Sequence, residues 1–341
     1  TTKSRAVPIY MTTSYTFDSV QDAAEVFALQ KEGNIYTRIM NPTTDVLEKR
    51  MAALEGGAAG LAFSSGMAAI TAAILNVAVA GDEIISAQSL YGGTYTLFTR
   101  RFPERYGIKV HLFDIDDLKG MEAAINEKTR ALYFETIGNP GMNVPDFRAL
   151  SDLAHRHKLP VIVDNTFASP YLIRLKDFGV DVAVHSLTKY VGGHGAAIGG
   201  AIVDLGTFQW KGNPRFRDFN QPDESYHGMV YADGPAPFAT KARVQGLRDV
   251  GACISPFNAF LLLLGLETLS LRVERHCRNA ETIAAFLLSH PAVGWVNYPG
   301  LPGDRYFERK QRYLPRGAGS IFTFGIKGGY PAGVKFIEAL T

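Results

Sequence analysis

The sequence contains only two cysteines, Cys253 and Cys277, among 341 residues. Their spacing forms neither a disulfide framework nor a metal-ligand pattern, so we expect no metal, two free thiols in a reducing compartment and a cytoplasmic location. An excess of charge is also lacking, because 35 basic and 33 acidic residues are interspersed. No basic stripe is available for nucleic acid, and that class of partner is not expected.

Long uninterrupted hydrophobic runs are absent as well. The most apolar segment contains Leu261 to Leu264, but Asn258, Glu267 and Ser270 interrupt it. The segment therefore predicts a buried helix of a soluble protein rather than a membrane span, and no membrane partner is expected. A chain of this length can bury a large core and suggests about two domains.

Strand-like and helix-like segments alternate through much of the chain, which predicts an α/β fold with a mostly parallel sheet and helices on both faces. Strands are predicted at 60–64, 83–87, 109–113, 131–136, 160–164, 181–186 and 199–204, and helices at 43–54, 66–78, 93–103, 118–126 and 146–157. We expect three parts: an irregular N-terminal arm (1–40), a large α/β domain (41–254) and a C-terminal domain (255–341). The last part is predicted to begin with one long helix, from about 255 to Leu288, and to contain strands at 294–298 and 320–326.

Two neighbouring strands are followed by side chains of opposite charge. The strand that begins at Val182 leads to Ser186, Thr188 and Lys189, and the strand before it ends in Asp164. If the two strands are parallel and adjacent, these residues meet at the carboxyl edge of the sheet, where open α/β sheets bind ligands. A partly desolvated lysine is a nucleophile for an aldehyde, and a carboxylate can keep a pyridine ring protonated, so the pair suits pyridoxal phosphate. Taken singly, Lys189 can equally be a surface lysine and Asp164 a helix cap.

A third segment suits a phosphate group. Residues 60–70 pass from a strand through Ser64, Ser65 and Gly66 into an alanine-rich helix. Free backbone N–H groups and the helix dipole favour an anion at such a helix start, and the glycine allows close approach. Ser186 and Thr188 can add hydroxyl donors. Without Lys189, an ordinary serine-capped helix would explain the pattern.

Together these segments resemble the Cys/Met-metabolism family of pyridoxal-phosphate enzymes. The motifs that carry the resemblance, in chain order, are Tyr36-Thr37-Arg38 with Asn41-Pro42-Thr43, Leu54 to Gly57, Ser64 to Met67, Tyr91 to Thr94, Glu135-Thr136 with Asn139-Pro140, Asp164-Asn165-Thr166, and Ser186 to Tyr190 with Gly192 to His194. The resemblance implies an aspartate-aminotransferase-like (fold type I) transferase with a mostly parallel seven-stranded sheet and a smaller C-terminal α/β domain. It also implies that residues 41–254 bind the cofactor.

The resemblance implies the following site. Lys189 holds the cofactor and moves protons, Asp164 stabilises the protonated ring, and Tyr91 stacks on the ring and takes part in catalysis. The cofactor-binding residues implied are Tyr36, Arg38, Ser65, Gly66, Met67, Tyr91, Asn139, Asp164, Thr166, Ser186, Thr188 and Lys189. Tyr36 and Arg38 are expected to reach the phosphate of a neighbouring subunit in a homo-oligomer built as a dimer of dimers, although their spacing alone also fits a structural arm.

The stretch from Leu205 to Ala252 resembles the long connection of O-acetylhomoserine sulfhydrylases. The branch implies that acetate is replaced by sulfide to give homocysteine in methionine biosynthesis, with O-acylhomoserine and sulfide as substrates. A cystathionine γ-synthase, a methionine or cystathionine γ-lyase, and a cofactor-holding protein without turnover remain as alternatives. Within the stretch, Tyr226 and His227 can line access to the substrate or support the insertion.

Family members extend further at the C-terminus, so we expect the C-terminal domain to be incomplete here, and the start at Thr1 also suggests missing residues. The arginine that grips the substrate carboxylate in the family has no match in this sequence. His185 and His194 flank the lysine segment, and a packing role is favoured over a catalytic one for both.

Overall fold

A computed structural model describes residues 3–28 and 30–340. The terminal residues Thr1 and Thr341, to which the expectation of an incomplete chain refers, lie outside this part. The helices are α1 Val20–Phe27, α2 Pro42–Glu55, α3 Gly66–Leu75, α4 Gly92–Thr96, α5 Leu118–Ala124, α6 Phe147–Arg156, α7 Ser169–Leu172, α8 Arg217–Asn220, α9 Pro237–Lys241, α10 Pro256–Leu266, α11 Leu269–Ser289, α12 Phe307–Tyr313 and α13 Gly329–Glu338. The strands are β1 Ala59–Phe63, β2 Glu83–Ala87, β3 Lys109–Phe113, β4 Thr129–Glu135, β5 Val161–Asp164, β6 Val182–Ser186, β7 Gly200–Asp204, β8 Val293–Asn297 and β9 Thr323–Ile326.

The predicted seven-stranded sheet is confirmed. Its order is β1-β7-β6-β5-β4-β2-β3, and β7 alone runs against the others. All four residues of β5 are buried, and because successive side chains point to opposite faces, both faces of the sheet are covered. The carboxyl ends of β1, β2, β4, β5 and β6 therefore meet at one edge, together with the first residue of β7.

The predicted long helix from 255 to Leu288 is two helices. α10 ends at Leu266, α11 begins at Leu269, and the axes meet at 62°. Arg272 stabilises the bend, since its guanidinium donates to Gly265 O at 2.7 Å and to Tyr190 O at 2.7 Å. Within residues 3–28 and 30–340, no single helix is long and apolar enough to cross a bilayer, and the pair α10–α11 meets that test of length and composition only when joined across the bend.

The N-terminal arm is less irregular than predicted, because it contains α1. Ser19 caps this helix by accepting the backbone N–H of Asp22, and Val26 is buried on its inner side. Later in the arm, Tyr36 pairs with Ser14 in an isolated antiparallel bridge. The cap residue and the short apolar face are local signals in the sequence that predict this helix.

Residues 205–252 pack as an aromatic cluster on the sheet. The ring of Trp210 stacks on Phe219 with centroids 4.2 Å apart, and Lys241 lies beneath, with its ammonium 4.9 Å from the Phe219 centroid. Tyr226 is buried and contacts Arg248, whose guanidinium lies 5.2 Å from the ring centroid. Tyr226 therefore supports the insertion.

The C-terminal residues form a smaller layer. β8 and β9 pair antiparallel, α11 packs on β8, and a small core contains Ala280, Ala284, Tyr298, Leu301 and Ala318. Charged contacts join this layer to the large sheet: Arg305 lies 2.5 Å from Asp116, and Arg309 contacts the same carboxylate.

Candidate active site

A cleft of about 780 Å³ lies at the carboxyl edge of the large sheet. It is lined by Ser65, Gly66, Met67, Ile70, Tyr91, Glu135, Ile137, Asp164, Thr166, Phe167, Ser186, Thr188, Lys189 and Ile198. Nine of the residues predicted from the sequence line this cleft, namely Ser65, Gly66, Met67, Tyr91, Asp164, Thr166, Ser186, Thr188 and Lys189. Their roles remain predictions, but the fold brings them together.

Asp164 ends β5, adjacent and parallel to β6, as predicted. Its carboxylate accepts the Thr166 N–H at 2.9 Å and the Thr166 hydroxyl at 2.5 Å. Burial raises the pKa of Asp164, while the hydrogen bonds from Thr166 and the nearby His185 favour the charged form. A buried acceptor with a fixed orientation fits a protonated ring nitrogen.

Lys189 lies in the turn after β6, where its backbone N–H donates to Ser186 O at 3.3 Å. Its side chain lines the cleft and is exposed in this chain. The reason is local: the strand is buried only as far as His185, and the turn carries Lys189 beyond the sheet edge.

The start of α3 forms a tightly packed cradle. Ser65 caps the helix by accepting the Ala68 N–H at 3.1 Å. A Cβ atom at Gly66 would lie 2.6 Å from Ser186 Cβ, and one at Gly200 would lie 2.1 Å from Ser65 O, so these three segments approach more closely than side chains allow. Ser65, Gly66 and Met67 line the cleft at this helix start, and the backbone N–H groups of a helix's first turn suit a phosphate.

The Thr188 hydroxyl, which was expected as a donor to the phosphate, bonds to backbone groups in this chain. Its hydroxyl donates to Gly199 O at 3.2 Å and accepts the Gly199 N–H at 3.1 Å. The hydroxyl proton is therefore committed to the backbone that leads into β7, and Thr188 braces the lysine turn. With the acid, the amine and the helix start at one edge, the residues fit pyridoxal phosphate.

Three predicted residues lie outside the cleft lining: Tyr36, Arg38 and Asn139. The Arg38 guanidinium carbon lies 5.3 Å from the Tyr36 ring centroid, and Arg38 Nε is buried without a hydrogen-bond partner among residues 3–28 and 30–340. The backbone N–H of Asn139 favours the charged form of Glu135 and lowers the pKa of that carboxyl, so Asn139 lies close to a residue of the cleft. The two arm residues do not reach the site of their own chain in this structure.

Glu135 is a charged residue of the cleft lining that was not among the predicted site residues. It ends β4 directly opposite Asp164 in register, and its side chain accepts the Tyr91 N–H at 2.7 Å. Burial and the charge of Asp164 raise the pKa of Glu135 well above its ordinary value, against the backbone hydrogen bonds of Tyr91 and Asn139. Its position at a strand end, like that of Asp164, was the available signal.

The two histidines near Lys189 have structural contacts. His185 is buried, with Nε2 2.8 Å from the Glu55 carboxylate, and His194 Nδ1 lies 2.7 Å from Gly192 O. Neither lines the cleft. Over the described part of the chain, no cluster of His, Cys, Asp and Glu could hold a metal ion, and Cys253 and Cys277 are free thiols.

The comparisons with known proteins agree with this geometry. The O-acetyl-L-homoserine sulfhydrylase of Leptospira meyeri is 52% identical, covering all of this chain and 79% of the relative. The homocysteine synthase of Schizosaccharomyces pombe is 50% identical, covering 99% of this chain and 80% of the relative.

Among solved structures, one assigned as an O-acetylhomoserine (thiol)-lyase of Campylobacter jejuni superposes with a TM-score of 0.91 at 43% identity, covering 94% of this chain and 81% of that one. That crystal structure contains a lysine bonded to pyridoxal phosphate. The profile of the family described as Cys/Met metabolism PLP-dependent enzyme matches residues 1–341. The predicted resemblance is confirmed, and this chain belongs to the Cys/Met metabolism family of pyridoxal-phosphate-dependent enzymes.

Proposed function

We propose that the protein is an O-acetylhomoserine sulfhydrylase, which replaces the acetate of O-acetylhomoserine by sulfide and forms homocysteine for methionine biosynthesis. The observation that carries the proposal is the cleft at the sheet edge, where Lys189, Asp164 and the start of α3 converge in a chain about half identical to proteins of that name. The Cγ–O bond breaks first and its electron pair leaves with the acetate; sulfide then bonds to Cγ, and the protons removed from Cα and Cβ are returned to the substrate.

Pyridoxal phosphate supplies two groups. Its aldehyde bonds to an amine, and its ring withdraws electrons from the adjoining bonds. Lys189 holds the aldehyde carbon through Nζ in the resting protein. Once the substrate amine has taken that place, the freed Nζ removes the proton from the substrate Cα and moves protons along the substrate. Its exposure at the mouth of the cleft leaves the side chain free to swing between these positions.

Asp164 holds the ring nitrogen proton through the carboxylate that Thr166 orients. Tyr91 also lines the cleft, where its ring would cover the face of the cofactor ring. Ser65, Gly66, Met67 and Ser186 surround the phosphate, with the N–H groups of α3 as donors. Thr188 fixes the turn that carries Lys189.

We propose further that Tyr36 and Arg38 complete the phosphate site of a neighbouring subunit, in a homotetramer built from two dimers. The buried and unpartnered Nε of Arg38 supports this role, because a guanidinium binds phosphate through paired donors. The two free thiols support a reducing, cytoplasmic setting.

A rate comparison tests the proposed function. O-acetylhomoserine and O-succinylhomoserine are each supplied with sulfide or with cysteine, and the amino-acid products are quantified by mass spectrometry. We expect homocysteine from O-acetylhomoserine and sulfide to form fastest. Faster cystathionine formation from cysteine would identify a synthase instead, ketoacid release without a sulfur donor would identify a lyase, and cofactor absorbance without any product would identify a cofactor-holding protein.

A further inference from the structure

Two buried carboxyl groups lie side by side at the edge of the large sheet. Glu135 and Asp164 are opposite each other in the parallel register of β4 and β5, and their relative exposures are only 6% and 7%. Both line the cleft. Across residues 3–28 and 30–340, no ion pair joins Glu135 to a basic side chain, so the energetic cost of a buried acid beside a like charge is not offset by a counter-ion.

The contacts of Glu135 are with the backbone of the cleft wall. Its carboxyl oxygen accepts the Tyr91 N–H at 2.7 Å, at the first residue before α4, a helix start that has no side-chain cap of its own. The backbone N–H of Asn139, in the loop after β4, is near enough to favour the charged form of Glu135. One side chain therefore ties the end of β4 to the segment that leads into α4.

The Tyr91 ring depends on this anchor because its own side chain is only half buried. The ring packs over Gly93, where a Cβ atom would lie 2.6 Å from Tyr91 Cε1 and 3.3 Å from Met67 Sδ. The backbone of Tyr91 thus fixes the distance between the ring and the start of α3. A shift of that backbone would move the ring across the cleft.

We propose that Glu135 is a positioning residue of this site: it holds the backbone of Tyr91, and so fixes the Tyr91 ring over the space that the cofactor ring fills. The inference rests on the proposed function in one respect, namely that the Tyr91 ring covers the cofactor ring. Burial, and then the charge of Asp164, raise the pKa of Glu135. A buried acid beside a like charge lowers the stability of the fold, so its presence at the cleft supports a functional role.

Asp204 provides a matched control. It too is a buried acid without a basic partner in the described residues, and it accepts backbone N–H groups, from Phe238 at 3.0 Å and Ala239 at 3.2 Å. It lies at the opposite edge of the sheet, since Asp204 pairs with Val182 and Gly200 pairs with Ser186. Asp204→Asn therefore reports the cost of weakening such an anchor away from the cleft.

The test is a double-mutant cycle on cofactor affinity. Protein freed of cofactor is titrated with pyridoxal phosphate alone, and the bound form is followed by its visible absorbance and circular dichroism. We expect Glu135→Ala to weaken binding about 10-fold and to change the circular dichroism of the bound cofactor, which reports ring orientation. In a Tyr91→Ala background the same substitution should change affinity less than about twofold, because its effect passes through Tyr91. Asp204→Asn should stay within about twofold of the wild type.

Additive effects of Glu135→Ala and Tyr91→Ala would overturn the proposal, as would equal losses in Glu135→Ala and Asp204→Asn. If Glu135→Ala does not fold, Glu135→Gln completes the same cycle, with a smaller effect that must also vanish without the Tyr91 ring. Because no homoserine ester or sulfide is present, the result is independent of whether the proposed sulfur transfer is correct.

Discussion

Lys189 is the one cleft amine that the turn after β6 presents to a bound aldehyde. Lys189→Ala should lower turnover by about 1,000-fold, because both the covalent hold and the proton carrier are lost. After borohydride reduction, the wild-type protein should carry the cofactor mass on the peptide containing Thr188 and Tyr190, and the variant should carry none. Lys211→Ala, an exposed lysine outside the cleft, is the control. Label on another lysine would contradict the assignment.

Asp164 contributes charge rather than shape to the cleft. Asp164→Asn keeps the volume and an oxygen that can accept the Thr166 N–H, but removes the negative charge beside the ring nitrogen. We expect kcat to fall by about 100-fold while KM changes less than about threefold, since the charge matters most when electrons move into the ring. A primary isotope effect on the Cα deuterium should increase. Near-normal turnover would show that Asp164 only caps the turn.

Glu135 connects the site to pH-dependent stability. Its pKa is raised by burial and by Asp164, so the fold favours the neutral acid and loses stability as the pH rises through that raised pKa. Gln mimics the neutral form, and Glu135→Gln should therefore raise the Tm of the cofactor-free protein at pH 8 by about 2 °C or more. The gain should disappear as the pH falls towards 4.5, the ordinary value for Glu. Thermal scans from pH 4 to pH 8 test both expectations. A gain in Tm that does not change with pH would show that the raised pKa of Glu135 is not its cause.

At the scale of elements, the start of α3 depends on the absence of a side chain at Gly66. Gly66→Ala would place a Cβ atom 2.8 Å from Ser186 Cα and force α3 away from β6. We expect cofactor affinity to fall by about 10-fold, the equivalent of about 1.4 kcal/mol of overpacking. Gly92→Ala, also at a helix start on this edge but with no atom within 4 Å of the new Cβ, should bind normally. Titration with pyridoxal phosphate distinguishes the two.

The strands were predictable because each is a short, mostly apolar run between turn signals, and the observed bounds of β1 to β7 agree with the predictions within two residues. The break between α10 and α11 was not, because no proline or glycine lies at residues 267–268 and the bend is held by Arg272 from the next turn. Residues 97–106 continue α4 as a wider π-helix, which the prediction of a plain helix at 93–103 missed. Long-range contacts decide such features.

The site, too, could be predicted from the sequence only in part. Asp164 and Lys189 could be predicted because strand ends of a parallel sheet share an edge. The commitment of the Thr188 hydroxyl to Gly199, and the contact between Glu135 and Tyr91 across 44 residues, could not, because both depend on how distant loops pack.

At the scale of the molecule, the C-terminal layer also holds the lysine turn. Tyr190 shares a hydrogen bond of 2.5 Å with Ser320 in the C-terminal layer, and Arg272 donates to Tyr190 O. The position of Lys189 is therefore coupled to the contact between the two layers.

The N-terminal arm shows how separate chains would combine. Arg38 and Tyr36 lie outside the cleft of their own chain, and Arg38 Nε has no partner among the described residues. If the arm completes a neighbour's site, Arg38→Ala and Lys189→Ala should each be nearly inactive, because each dimer lacks one component in both sites. After random mixing, about half of the dimers are hybrids, and each hybrid has one intact site of two. About a quarter of wild-type activity should therefore return.

Mass spectrometry of differently labelled chains must confirm the exchange of subunits before rates are compared. A mixture of Arg38→Ala with Arg38→Ala, treated identically, provides the baseline, because it can never form an intact site. Arg5→Ala, which changes an exposed arginine in the same arm, should be active without any partner. Hybrid dimers that stay as inactive as the baseline would show that Arg38 acts within its own chain, since in that case each site of the hybrid carries one of the two lesions and neither site is intact.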